Sequence, residues 1–532
     1  MPRVRIREGR PSVLPDPLKS VLGASPSLPR LRGETLSELD SRTPYGNASG
    51  PISICPAAVA KPLDTDDVST LLSWASSKGQ AVVPRGAGTG MPGGNVGPGI
   101  ALDLGAHFTD VEKVDVSTRT VRVGAGALAA DVEAAARGAG LFLPPLPASA
   151  ERCTVGGMVA NNAAGARSFG YGAVRDWVRT LDVVMADGAQ HRLARGSEGP
   201  AEFGRLRSDL EHDIGTRPRG WPNVRKNSSG YALDRFLPGG DPVELIVGSE
   251  GTLAVVTSVT FDLAPIPEHR AVVILGLRDR HDLPMLVESI PEMGASACEF
   301  FGLRFLQIAA LADHPIVGAA ALDAEFVFLV EFDGTAGEVS ERVVALHGLA
   351  SDLGAGTVSA ETESARKSLW EIRHAASPLI AAAAQEGRVS TQIIEDSVVP
   401  PDVLGQYLAG LDRILEANQT DAVIFGHAGD GNVHVNPLLD VRRPSWRKSA
   451  RTILNETVDL VAGLGGTLSG EHGDGRIRAP FLESIWGPTL TDCFRRTKEA
   501  IDPVGILNPG VILPRPGQDP LEGLWPQHGI AT

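Results

Sequence analysis

Two glycine-framed strings in the C-terminal third bring together the side chains best suited to chemistry. Phe425-Gly426-His427-Ala428-Gly429-Asp430-Gly431-Asn432-Val433-His434-Val435-Asn436-Pro437 sets two histidines and an asparagine around a tight Asp-Gly turn. Ser469-Gly470-Glu471-His472-Gly473-Asp474-Gly475 adds a carboxylate and an imidazole side by side. Two histidines plus one carboxylate commonly hold a divalent ion with open positions, such as zinc, manganese or iron. His472, next to Glu471, is then free to act as a base. A Gly-His or Asp-Gly turn alone is usually an ordinary hairpin, so the reading rests on both strings together.

The N-terminal half is rich in glycine turns. Pro84-Arg85-Gly86-Ala87-Gly88-Thr89-Gly90-Met91-Pro92-Gly93-Gly94-Asn95 contains a formal G-x-G-x-x-G at Gly88, Gly90 and Gly93. A Rossmann fingerprint must open a helix and be followed by an acid about twenty residues on. Pro92 and more glycine follow instead, so that reading fails. What remains is a compact turn with many exposed backbone N–H groups, a nest suited to a pyrophosphate. Gly124-Ala125-Gly126 lies between a strand and a helix, but Pro144-Pro145 stands where its acid belongs, and it reads as structural. The string from Thr154 to Gly165 (TVGGMVANNAAG) offers small residues and two amides to a flat ligand; adjacent asparagines are costly to bury without partners. Val247-Gly248-Ser249-Glu250-Gly251-Thr252-Leu253 turns into a long strand.

Alternating short apolar runs and helical stretches must position these loops. AVVP (81–84), GIALDLG (99–105), TVRVGAG (120–126), LDVVMADG (181–188) and LAVVTSVTFDLAP (253–265) read as strands. DTDDVSTLLSWASSKG (64–79) reads as a helix with an acidic first turn and a glycine stop, and ALAADVEAAARGAG (127–140) as another. PIPEH (265–269) breaks the pattern and marks a boundary. Beyond it a β-α-β-α rhythm, with strands HRAVVILGL and EFVFLVEFDG and a helix over 335–353, predicts a second domain whose sheet is covered by helices.

The 532 residues exceed one ordinary core, and 42% hydrophobic with 21% charged residues is the balance of a globular chain. A net charge of −15 argues against nucleic acid or an anionic membrane as partner. Four scattered cysteines, never in a C-x-x-C pair, give no support to a disulfide framework, a cysteine-ligated zinc or an iron–sulfur cluster. No secretory signal and no apolar run of membrane-spanning length is read, so a cytoplasmic enzyme is expected.

In order, PRGAGTG, CTVGGMVANNAAG, KNSSGYALD and VGSEGTLAVVT resemble the FAD domain of the vanillyl-alcohol oxidase/p-cresol methylhydroxylase superfamily, over roughly residues 50–515. The resemblance implies that Pro84, Arg85, Gly86, Ala87, Gly88, Thr89 and Gly90 cradle the FAD pyrophosphate. It implies that Ser149, Thr154, Gly156, Gly157, Asn161, Asn162 and Gly165 line the flavin, and that Glu250, Gly251, Val256 and Asn508 support the cofactor. Some relatives bind FAD covalently through a histidine in or near the first loop. None stands between Pro84 and Asn95, so non-covalent FAD is expected.

GHAGDGNVHVN, SGEHGDG and DPVGILNPG resemble the C-terminal domain of FAD-linked D-2-hydroxyacid dehydrogenases, the D-lactate and D-2-hydroxyglutarate enzymes among them. By that resemblance His427, His434 and Glu471 hold the metal, zinc before manganese or iron. Asn436 and Ser377 then bind substrate, and His472 is the catalytic base in contact with it. LWEIRHAAS (369–377) matches an L-W-x-x-R segment, which makes Arg373 a catalytic residue gripping the substrate carboxylate bidentately. The hydroxyglutarate enzymes have a lysine six residues before the proline that ends the next segment. IIEDSVVP has Ile394 there, followed by Glu395 and Asp396, which weakens the case for a dicarboxylate. The wording of IIEDSVVP and GEHGDGRIRAP is closest to relatives fused to an iron–sulfur domain; those cysteines are lacking, so electrons are expected to leave by another route.

The expected fold is α+β: an N-terminal arm (1–45), a two-part FAD-binding domain (46–267), an α/β substrate or cap domain with an antiparallel sheet (268–465), a C-terminal segment packing back at their interface (466–515) and an irregular tail (516–532). The expected activity is FAD-dependent oxidation of a D-2-hydroxyacid to the 2-oxoacid, with hydride passing to flavin N5. The partners are a small 2-hydroxyacid and an acceptor left open between an electron-transfer protein, a quinone and oxygen; a homodimer is also left open. Two competitors stand beside it: a metal-dependent hydrolase using His427, His434 and Glu471, and a flavin subunit of a larger redox complex.

Overall fold

Local chemistry sets the elements that carry the loops. Asp64 caps the helix Thr65–Lys78 by accepting from the N–H groups of Asp66 and Asp67, and Gly79 ends it in the left-handed conformation at φ 61°. The computed structural model describes residues 26–216, 219–311, 324–374, 380 and 388–524. The expected arm is therefore described from residue 26 and the tail to residue 524, while Ser377 lies outside the described residues.

Two small sheets share one apolar core. Strands β1 (Glu34–Leu36), β2 (Ala58–Lys61), β3 (Val82–Arg85) and β4 (Ile100–Asp103) run in the order β1-β2-β4-β3, parallel except for β1. Strands β5 (Thr120–Gly124), β7 (Val178–Val184), β8 (Gln190–Ala194) and β9 (Val255–Asp262) form an antiparallel sheet in the order β5-β9-β7-β8, and β6 (Leu141–Phe142) pairs separately with β10 (Ala264–Pro265). The chain returns here near its C-terminus: the Val82 N–H donates to Ile506 O and the Asn508 N–H to Val82 O, both at 2.8 Å.

From His269 onward one eight-stranded antiparallel sheet takes over: β11 (His269–Leu277), β12 (Ala297–Gly302), β13 (Phe326–Gly334), β14 (Gly356–Ala360), β15 (Arg388–Ser390), β16 (Ile394–Val398), β17 (Asp421–His427) and β18 (Asn432–Asp440). Side chains alternate across such a sheet, so its two faces differ. Val273, Leu275, Cys298, Phe300, Phe328, Val330 and Phe332 bury one face against the helices Leu283–Glu292, Ala336–Asp352, Leu404–Ala417 and Trp446–Gly463. The register Ala297↔Glu331, Phe301↔Phe425 and Phe425↔His434 puts Glu299, Glu331, Phe425, His427, His434 and Asn436 together on the other. There Trp370 and Ile372 of the helix Glu363–His374 pack with Phe301, Phe305, Val327 and Leu329. The chemistry-bearing residues thus share the face the large apolar layer does not need.

Candidate active site

A single cavity of about 2080 Å³ lies between the small sheets and the polar face of the large one. It exceeds the roughly 300–1,000 Å³ of an ordinary small-molecule site, so it accommodates a dinucleotide together with a second ligand. Pro84, Gly86, Ala87, Gly88, Thr89, Gly90, Ser149, Thr154, Gly157, Asn161, Gly165, Glu250 and Gly251 line one part of it, and Arg373, His434, Asn436, Glu471 and His472 another.

The turn after β3 is built to receive an anion. Among the described residues, none of the backbone N–H groups from Gly86 through Gly90 has an internal acceptor. A Cβ on Gly86 would collide with Thr154 Oγ1, and Gly88 adopts φ 78°, which favours glycine.

Five predicted cofactor contacts do not line this cavity. Arg85 is buried behind the turn, donating from Nη1 to Asn95 O and from Nη2 to Asn47 O, each at 2.9 Å. It braces the nest instead of facing it. Asn162, at the left-handed end of the helix Val155–Asn161 (φ 47°), accepts from the Arg175 N–H at 3.0 Å, and only its neighbour Asn161 borders the cavity. Gly156 is pressed against Ala125, and Val256 sits in β9 at 7% exposure. Asn508 ties loops together, donating to Gly94 O at 2.7 Å and Glu250 O at 2.8 Å.

The second part is an imidazole–carboxylate cluster. Glu471 Oε1 lies 3.3 Å from His427 Nε2 and 3.3 Å from His434 Nε2. Ligand atoms 2.0–2.1 Å from a tetrahedral zinc stand roughly 3.3 Å apart, so this donor set fits such an ion. His434 Nδ1 faces the Glu395 carbonyl at 2.8 Å, which leaves Nε2 as its free nitrogen. Lys226 Nζ, from the KNSSGYALD string, donates to Glu471 Oε2 at 2.6 Å. Burial opposes charge on Glu471, but Lys226 and His427 outweigh it and hold the carboxyl well below its usual range. Burial pushes His434 down, toward the neutral ligand form. His427 sits behind the cavity wall and reaches the cluster through Nε2.

The loop carrying Glu471 and His472 is pinned from both sides. Asp396 Oδ2 accepts from the N–H groups of Gly470, Glu471 and His472 at 2.9–3.1 Å. Asn161 Nδ2 donates to His472 O at 2.7 Å, and Glu250 accepts from the Asp474 and Gly475 N–H groups. A bulge in β16 makes this arrangement: its register slips between Ile394 and Ser397, so the consecutive Glu395 and Asp396 both reach the site while Ile394 joins the opposite apolar layer. His472 Nδ1 contacts Glu395 Oε2 at 2.6 Å. Burial works against a charged His472, but Glu395 and Asp396 outweigh it and lift the imidazole to about 9.

Residues 56–194 match the family model for an FAD binding domain, and residues 266–512 that for FAD linked oxidases, C-terminal domain. The chain is 31% identical over 459 residues to a D-lactate dehydrogenase of Archaeoglobus fulgidus, covering 86% of this chain and 91% of the relative. The chain belongs to the FAD-linked oxidase family. A glycolate oxidase subunit GlcD of Bacillus subtilis is 30% identical over 461 residues, 86% of this chain and 88% of its own. A substrate-bound p-cresol methylhydroxylase shares the fold at TM-score 0.66 and 15% identity, over 91% of this chain and 95% of its own. This family member is an FAD-linked oxidoreductase, and the free N–H nest before Gly90 fits the anionic part of its cofactor. Among the described residues no helix is long and apolar enough to cross a membrane.

Sequence reasoning passed over Glu299, Glu331 and Lys226. A signal existed: Glu299 interrupts the apolar strand ACEFFG and Glu331 the strand FVFLVEFDG, and an acid inside a buried strand requires a partner.

Proposed function

We propose that this chain oxidises a short D-2-hydroxyacid, D-lactate-like, to the 2-oxoacid. The observation that carries the reading is that Arg373, His434, Asn436, Glu471 and His472 border the same cavity as the glycine turn and the Thr154–Gly165 loop. FAD, when bound, supplies the hydride acceptor, and a divalent ion held by His427, His434 and Glu471 supplies a Lewis acid for the substrate hydroxyl. Arg373 presents its guanidinium to the substrate carboxylate, with its Cζ over the Phe425 ring, 5.0 Å from the centroid. Asn436, whose Oδ1 accepts from Ser390 Oγ at 3.1 Å, keeps its amide N–H groups for substrate oxygens. His472, with Nδ1 committed to Glu395, takes the hydroxyl proton at Nε2. Ile394 turned into the core supports a monocarboxylate over a dicarboxylate such as D-2-hydroxyglutarate.

Anaerobic addition of D-lactate, glycolate and D-2-hydroxyglutarate to the FAD-loaded protein tests this. D-Lactate is expected to bleach the flavin absorption; no bleaching by any of the three defeats the reading. The similarity to a glycolate oxidase subunit of Bacillus subtilis favours a second reading, a flavin subunit of a larger complex. Sustained turnover by the isolated chain with an artificial acceptor would count against it.

The charge on Glu395 sets the pH response. A base works only when neutral, so an imidazole lifted to about 9 puts the rising limb of kcat/KM on the alkaline side. Glu395→Gln removes the largest stabiliser of the charged ring and lets His472 fall back toward about 6.5. The rising limb is expected to move to lower pH in a kcat/KM profile; a limb that stays put removes Glu395 from this role.

A further inference from the structure

One buried carboxylate joins the two halves of the substrate site. Glu299 lies in β12, one residue beyond its Phe300↔Gly426 pairing with β17, the strand that ends in His427; it sits on the polar face of the large sheet and is 0% exposed. Its Oε1 contacts His427 Nδ1, and its Oε2 accepts from Arg373 Nε at 2.7 Å. With Nδ1 turned to Glu299 as the donor, His427 offers its Nε2 lone pair toward Glu471. With Nε committed to Glu299, Arg373 keeps both Nη groups for the cavity; among the described residues neither has an acceptor.

We propose that Glu299 is a positioning residue that fixes, through one carboxylate, both the tautomer of His427 and the orientation of Arg373. The inference rests on the functional reading above. A 2-hydroxyacid has its hydroxyl and carboxylate on adjacent carbons, so the groups that hold them must keep a fixed separation. Keying both to one anchor on a rigid strand achieves that without a loop that could drift.

The chemistry of an amide makes the test sharp. In Glu299→Gln the side chain keeps its shape but has one acceptor oxygen and one donor nitrogen. If the oxygen serves Arg373, the NH₂ group faces His427 Nδ1 and forces the proton onto Nε2, which then cannot ligate. If the oxygen serves His427, Arg373 faces a donor. Either arrangement damages one half of the site.

The measurement is zinc affinity by chelator competition on the FAD-loaded protein without substrate, followed by KM and kcat for the acid that bleaches the flavin. Glu299→Gln is expected to lose about 10–100-fold in zinc affinity or to raise KM by a similar factor, with flavin content unchanged. Glu331→Gln is the control. Its carboxylate is equally buried on the same face but is held by Arg167 and Trp370, so zinc affinity should not move. Should the amide variant not fold, Glu299→Asp keeps the charge, shortens the reach and is expected to weaken zinc binding while retaining FAD. Wild-type zinc affinity and KM in a folded Glu299 variant overturn the proposal, as does a wild-type chain that binds no zinc. Failure of every acid to bleach the flavin strikes the functional reading alone, because the zinc titration uses no substrate.

Discussion

Replacing His472 with alanine lowers kcat about 10²–10⁴-fold, the usual worth of a general base, and leaves FAD bound. The loop survives the loss of the ring because its anchors are backbone groups. Asp396 Oδ2 holds the N–H of residue 472 at 2.9 Å and Asn161 holds its carbonyl at 2.7 Å, and neither bond uses the imidazole. The glycine turn at Gly86–Gly90 lies in a different loop, so cofactor absorption should match that of the wild type. Steady-state turnover with an artificial acceptor is the readout. Undiminished turnover would remove His472 from the mechanism, and loss of flavin would mean the ring holds the cofactor's side of the cavity instead.

Much of this architecture was legible because it is written in local patterns. Asp64 and Gly79 bracket a helix by capping chemistry that needs no knowledge of the rest of the chain. The strands from Val82 to Phe332 follow apolar runs, and the ordered glycine strings point to the cofactor. What local pattern cannot state is the direction of each side chain within a string. Arg85, Asn162, Gly156, Val256 and Asn508 belong to the segments singled out yet face the scaffold: alternation along the strand turns Arg85 and Val256 away, the left-handed helix end turns Asn162 away, Gly156 packs on Ala125, and Asn508 ties two loops together. The β16 bulge has the converse effect, aiming both Glu395 and Asp396 at the site against the period of two. Glu299 was invisible for another reason. Its partners lie 74 and 128 residues away: the β12–β17 pairing brings His427 to it, and the helix Glu363–His374 packed on that face of the sheet brings Arg373.

His434→Ala should empty the ion site and reduce kcat/KM roughly 10³-fold, since a Lewis acid stabilises developing charge by several kcal/mol and each 1.36 kcal/mol is tenfold. The ring is 4% exposed and packed between Phe425 at 5.1 Å and His472 at 5.4 Å, so its removal leaves a small hollow and takes away one of three donor atoms. The strand itself persists, because β18 is held by backbone ladders to both β16 and β17. Folding and flavin content are therefore expected to hold while metal analysis of the purified variant falls toward zero. Added zinc should reactivate chelator-treated wild type and fail to reactivate the variant. The same treatment of Glu299→Gln should give partial recovery at high zinc, because that variant keeps all three donor side chains and the ion has only to overcome the wrong tautomer of His427. Full wild-type metal content in His434→Ala would show that the ion sits elsewhere, and the Lewis-acid assignment to Glu471, His427 and His434 would fall with it.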